Sequence, residues 1–169
     1  MLITLEELEL RRVVVSETYA SKALDYHGAD FEQLGPLKID ATAELQGAEV
    51  RIRGKLQTRV RTSCDRCLAR VEIPIQPEFD LYYRPLETIA RAEEVEIPAQ
   101  ELDIGFFSGA GIELADVARE QVLLSLPMKI LCRADCRGLC PRCGANRNLE
   151  ECHCPPAGDG SPFAALKGE

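Results

Sequence analysis

Eight cysteines stand in a chain of 169 residues. They fall in close pairs: Cys64-x2-Cys67, Cys132-x3-Cys136, Cys140-x2-Cys143 and Cys152-x-Cys154. A thiolate is a soft, strong donor. Two thiolates on a short turn point the same way and chelate one tetrahedral ion. The run Cys140-Pro141-Arg142-Cys143-Gly144 suits this task. Pro141 stiffens the turn, and Gly144 accepts a positive φ, so backbone N–H groups can face the sulfurs and disperse their charge. Eight thiolates suffice for two closed sites, and zinc is the ion expected in both. The economical grouping puts Cys140, Cys143, Cys152 and Cys154 on one ion, since that loop is short and costs little to close. Cys64, Cys67, Cys132 and Cys136 then hold the second ion, closing a longer loop and contributing more to stability. Interleaved groupings also satisfy the spacing. His153, wedged between two cysteines, is either a substitute ligand or simply an exposed side chain.

The expected metal is structural. Catalytic zinc keeps a position open for water and usually has harder ligands, whereas four thiolates on one ion make a poor Lewis acid. His27 and His153 are the only histidines, and there is no HExxH, no Ser/His/Asp arrangement and no phosphate-cradling glycine loop. The inventory therefore predicts neither an enzyme nor a small-molecule substrate.

Net charge is −8 but unevenly spread. Arg51, Arg53, Lys55, Arg59, Arg61, Arg66 and Arg70 crowd around the first pair, against Asp65 alone. Lys129, Arg133, Arg137, Arg142 and Arg147 accompany the later cysteines, and acids collect between, in Glu78, Asp80, Glu87, Glu93, Glu94, Glu96, Glu101 and Asp103. An acidic chain is not one that coats nucleic acid indiscriminately. Cations beside the cysteines offset thiolate charge. Yet Arg51, Arg53, Lys55, Arg59 and Arg61 are all odd-numbered, so a regular strand puts them on one face, a candidate phosphate-contacting row. A solvated sheet face is the plainer alternative.

Residues 37–45 alternate apolar and polar, Gln46-Gly47-Ala48 makes a turn, and the alternation resumes through Val50, Ile52, Leu56 and Val60. After the first cysteine pair, residues 69–83 continue as strand, with Pro74 and Pro77 marking an edge or bulge. The result is an antiparallel meander with residues 64–67 at a hairpin tip, preceded by one or two strands in residues 2–15. Tyr82, Tyr83, Phe106 and Phe107 come in adjacent pairs, one ring of each facing inward. Leu114, Ala118, Val122 and Leu126, flanked by Val117 and Leu124, form a helical stripe that Pro127 stops. The expected architecture is α+β: a curved, mainly antiparallel, barrel-like sheet, one packing helix over 112–126 and a C-terminal cysteine-rich zinc-binding segment. Its parts are a β-rich domain 1–127, a cysteine-rich segment 128–154 joined to the 64–67 hairpin, and a tail 155–169 in which Phe163 and Leu166 could dock. No apolar run is long enough to cross a bilayer, and "MLITLEELELRR" lacks a basic n-region, which predicts a cytoplasmic protein without membrane contact.

The runs "SCDRCL", "ELADVAREQVLLSLPMKILC", "CRGLCPRCGANRNLEECHC" and "SPFAALK" resemble the YceD-like family, members of which are described as large ribosomal RNA subunit accumulation proteins. The likeness is specific over 114–154 and general in the first sixty residues. It implies a non-enzymatic role in ribosome biogenesis, supporting accumulation of large-subunit rRNA. The partners then expected are rRNA or a pre-ribosomal particle, at the Arg51–Arg61 row, and a basic large-subunit ribosomal protein at the acidic stretch 78–103. The rival from another class is a thiol- and zinc-based redox sensor or metal-handling protein, in which oxidation ejects the ion.

Overall fold

The computed structural model describes residues 1–88 and 104–154. The chain divides into two compact units: Met1–Arg61 with Glu72–Leu126, and Thr62–Val71 with Pro127–Glu169. The expected docking residues Phe163 and Leu166 lie outside the described residues, as does the acidic stretch beyond Glu87.

The first unit is mainly sheet. Strands β1 (Leu2–Thr4), β2 (Val13–Tyr19), β3 (Glu32–Gln33), β4 (Leu37–Gln46), β5 (Glu49–Ser63), β6 (Arg70–Ile75), β7 (Glu78–Pro85), β8 (Ile104–Phe107) and β9 (Gly111–Glu113) come with helices α1 (Leu5–Leu10) and α2 (Leu114–Leu124). The main sheet has the order β2-β4-β5-β7-β8, with β3 and β6 also paired to β5. Its pairs are antiparallel except β7 with β8, which run parallel. Strand β5 carries the chain out of this unit and β6 brings it back.

Alternation explains the long strands. In β5 the even-numbered Val50, Ile52, Leu56 and Val60 are buried, while the odd-numbered cations face outward. Gly47, at φ +66°, supplies the positive φ that the two-residue β4–β5 turn requires. Pro74 is tolerated because, among the described residues, β6 pairs with β5 alone and lies at an edge.

Several expectations change. Among the described residues the strand path ends at β2 on one side and β8 on the other, so the sheet is open and the barrel-like closure is not found. Within residues 2–15 the two strands are separated by α1, where one helix was expected in the whole chain. Thr4 caps it, its Oγ1 accepting from the Glu7 N–H at 3.3 Å, with Glu6 and Glu7 placed favourably in the first turn. Helix α2 begins at Leu114 rather than at the expected 112, because Ile112 is claimed by β9, where it sits opposite Ile3 of β1. Leu114, Val117, Ala118 and Val122 are buried, but Leu124 is 70% exposed and Gln121 takes a buried place instead. The aromatic pairs split as the strand period requires: Tyr83 and Phe107 pack against the core, whereas Phe106 is 40% exposed.

Candidate metal centre

The second unit joins the hairpin tip between β5 and β6 to the stretch that follows α2. Their backbones are stitched together. Asp65 N–H donates to the Ile130 carbonyl at 2.8 Å, and Ile130 N–H donates to the Asp65 Oδ2 at 2.6 Å. Leu139 N–H reaches the Arg66 carbonyl at 2.9 Å, and the Arg66 guanidinium donates to the Cys136 carbonyl at 2.8 Å. Asp65 and Arg66, the two residues inside the first cysteine pair, thus fix where the second pair lies. Leu131, Leu139, Ala69 and Val71 pack around the buried sulfurs.

The cysteines assemble into two groups, Cys64, Cys67, Cys132 and Cys136 in one and Cys140, Cys143, Cys152 and Cys154 in the other, each with its sulfurs within 4.8 Å of one another. Loop length favours this grouping over the interleaved ones. All eight are free thiols. Sγ separations are 3.9 Å for Cys64–Cys136 and 3.6 Å for Cys67–Cys132 in the first group. In the second they are 3.5 Å for Cys143–Cys152 and 3.3 Å for Cys140–Cys152. Tetrahedral zinc with bonds of about 2.3 Å sets its sulfurs about 3.8 Å apart, whereas a disulfide needs about 2.05 Å. Both groups therefore fit a tetrathiolate ion. His153 is exposed and belongs to neither group.

Thiol chemistry supports the same fit. Burial pushes the Cys64 thiol up, but N–H groups of Arg66, Cys132 and Cys67 outweigh it and bring it down to about 6. Cys140 comes down to about 6, chiefly through the N–H groups of Cys143 and Arg142. Their neighbours move oppositely. Hydrogen bonding to Cys67, then burial, raises Cys132 to about 12. Hydrogen bonding to Cys152 and Cys143 raises Cys154 to about 12. Four negative sulfurs this close repel one another, so each group by itself ionises only in part; a divalent cation removes that repulsion.

The knuckles share a backbone form. Gly144, after Cys143, has φ +74°, and Leu68, after Cys67, holds the equivalent position at φ +59°. The groups differ in exposure. In the first, Cys64, Cys67 and Cys136 are buried and Cys132 is exposed. In the second only Cys140 is buried, and Cys143 is exposed. Spacing gave no sign of Asn148, whose side-chain N–H donates to Cys136 Sγ at 3.3 Å.

The candidate phosphate row lies on β5 in the first unit. Arg51, Arg53, Lys55, Arg59 and Arg61 do share a face, but carboxylates from neighbouring strands meet some of them. Asp80 takes Arg51 through two hydrogen bonds of 2.8 and 2.6 Å, and the Arg51 guanidinium lies 5.3 Å from the Tyr82 ring centre. Glu44 pairs with Arg53 at 3.3 Å. Arg61 lies between Glu72 at 2.9 Å and Glu32 at 3.6 Å. Lys55 and Arg59 form no ion pair among the described residues. No helix among the described residues is long and apolar enough to cross a membrane.

An open sheet unit in one chain with a unit built on two four-thiol groups defines a β-sheet protein with two candidate metal centres. The chain belongs to the YceD family, whose model, described as large ribosomal RNA subunit accumulation protein YceD, matches residues 52–168. It is similar to an uncharacterized protein of Mycobacterium leprae, 26% identical over 70% of this chain and 52% of the relative. The YlbN protein of Bacillus subtilis is 20% identical over 70% of this chain and 64% of the relative. An Arabidopsis thaliana protein named large ribosomal RNA subunit accumulation protein YCED homolog 1, chloroplastic, is 22% identical over 74% of this chain and 46% of its own length. The chain spans about half the length of most of these curated relatives. No solved structure matches it.

Proposed function

We propose that this protein is a non-enzymatic cytoplasmic ribosome-biogenesis factor that supports accumulation of large-subunit rRNA, with two structural zinc ions. The observation that carries the zinc reading is the pair of four-sulfur groups at tetrathiolate spacing. The family match carries the ribosomal reading. Its partners are rRNA or a pre-ribosomal particle and a basic large-subunit ribosomal protein. Of the Arg51–Arg61 row, Lys55 and Arg59 are the cations free to meet phosphate, because Arg51, Arg53 and Arg61 already have carboxylate partners. Asp80, one of the expected contacts for a basic protein, is likewise engaged with Arg51.

Affinity purification of the tagged protein, with and without RNase, tests the partners. RNase-sensitive recovery of large-subunit rRNA supports direct contact; ribosomal protein surviving RNase supports the protein contact, and neither being recovered defeats the proposal. Ultraviolet crosslinking locates the RNA face. Lys55→Glu with Arg59→Glu should cut crosslinking severalfold more than Arg51→Glu, and equal crosslinking in all variants removes that face. The exposure of Cys143 favours a second reading, a zinc-based thiol sensor. Reversible zinc release under mild peroxide, coupled to altered rRNA levels, would select it.

A further inference from the structure

Asn148 lies between Cys143 and Cys152, inside the loop of the more exposed cysteine group, yet its side chain serves the other group. Its Nδ2 donates to Cys136 Sγ at 3.3 Å and to Asn146 Oδ1 at 2.9 Å. Its Oδ1 accepts from the Arg137 N–H at 2.8 Å and from the Arg133 guanidinium at 2.9 Å. Those two donors fix the amide's orientation. A flipped amide would set N–H against N–H and oxygen against sulfur, so the donor must face Cys136. An N–H aimed at a metal-bound thiolate takes up part of its charge and slows its protonation and departure.

The loop is held along one side and at its far end. Arg147 N–H donates to the Gly138 carbonyl at 3.0 Å, Cys140 N–H to the Ala145 carbonyl at 2.8 Å, and Leu139 bridges to Asn146. Beyond Asn148 the Leu149 and Glu150 N–H groups turn back onto the Asn146 carbonyl at 2.9 and 3.1 Å, and the chain is next tied to the rest of the unit at Cys152, whose sulfur is 3.3 Å from that of Cys140. An ion in the exposed group ties this end down.

Resting on the zinc reading above, we propose that Asn148 couples the two centres: an ion held by Cys140, Cys143, Cys152 and Cys154 positions Asn148 and so strengthens retention of the ion held by Cys64, Cys67, Cys132 and Cys136. The coupling is reciprocal in equilibrium affinity. It makes the exposed centre a control point for the buried one, and loss of the first ion loosens the second.

The test uses the full chain loaded with zinc, with release followed by a chromophoric chelator and metal content by elemental analysis. Asn148→Ala should speed release from the buried centre about tenfold, within the range for removing a ligand's outer partner. Cys152→Ser with Cys154→Ser should speed it similarly, and adding Asn148→Ala to that pair should change little more. Asn148→Asp keeps the acceptor for Arg133 and Arg137 but sets a carboxylate against the sulfur. It should release faster than Asn148→Ala if donation to Cys136 matters, and at the wild-type rate if Asn148 merely pins the loop. Wild-type release from Asn148→Ala, rescue by Asn148→Asp, or multiplying effects in the combined variant would each overturn the coupling. Wild-type protein prepared anaerobically and containing no metal defeats the zinc reading instead. Cadmium-113 resonances of the wild-type and Cys152→Ser/Cys154→Ser chains give a readout independent of Asn148 variants: an unmoved buried-centre resonance counts against the proposal.

Discussion

The two units of this chain reach order by different physics. In the sheet unit, Leu37, Ile39, Val50, Ile52, Val60, Leu114 and Val122 are essentially inaccessible to solvent, and their burial is the main favourable term. In the cysteine unit the buried cluster consists of Cys64, Cys67 and Cys136, with four partly buried apolar residues around it. So small an apolar cluster cannot by itself offset the entropy of ordering the chain around it. Charge differs as well. Carboxylates from adjacent strands meet Arg51, Arg53 and Arg61 on the sheet, whereas the exposed Arg137 and Arg147 form no ion pair among the described residues. A sheet can neutralise its face by cross-strand pairing. A knuckle unit that carries thiolates has its anions at the centre, and of its arginines Arg133 meets a carboxylate, that of Asp135 at 3.4 Å, while Arg137 and Arg147 meet none among the described residues.

The largest effect that follows is on metal removal. Zinc in structural sites contributes on the order of 10 kcal/mol to folding. A strong chelator with reductant should therefore abolish hydrogen-exchange protection in residues 128–154 while strand protection in β4 and β5 persists. Parallel loss in both units, or in neither, would erase the distinction between them.

The converse perturbation is smaller. Ile52 is fully buried between neighbours on the inner face, and Ile52→Ala should lower the stability of the sheet unit by about 2–5 kcal/mol. Metal content should not change. A denaturant melt paired with elemental analysis checks both halves, and zinc loss accompanying this substitution would show that the units depend on one another.

How legible this was follows the same divide. The β4–β5 hairpin was readable because period-2 alternation and Gly47 agree locally. The cysteine grouping was readable because short loops close first. Helix α1 was missed although Thr4 and Glu7 stand at capping-box spacing, because six residues give too little periodicity to see. Leu124 was misplaced because the buried stripe turns toward Gln121 at the end of α2. The pairing of Arg51 with Asp80 was hidden because the partners are far apart in sequence and meet only through the β5–β7 register. The sheet's openness and the parallel β7–β8 pair also depend on long-range partners that local pattern cannot specify.

Acid gives the smallest effect and separates the units by pH. The hydrogen bonds from Arg51 hold the Asp80 carboxyl below its usual range. A carboxyl depressed in the folded state contributes stability that is present above its unfolded pKa, near 3.9, and is lost as pH falls through the folded value. The ion pair is exposed and its worth at neutral pH is small. Thiolates surrender their ion to protons at a higher pH than this, since each must be deprotonated to bind. Acidification should then release zinc from the cysteine unit first, with the sheet following only in the carboxylate range. Asp80→Asn should remove part of the sheet's acid-limb pH dependence and leave the pH of zinc release where it was. Circular dichroism and a zinc-sensitive dye, read on the same acid titration, measure both events. A shift of zinc release in Asp80→Asn would mean that the outer face of the sheet and the metal centres are energetically linked.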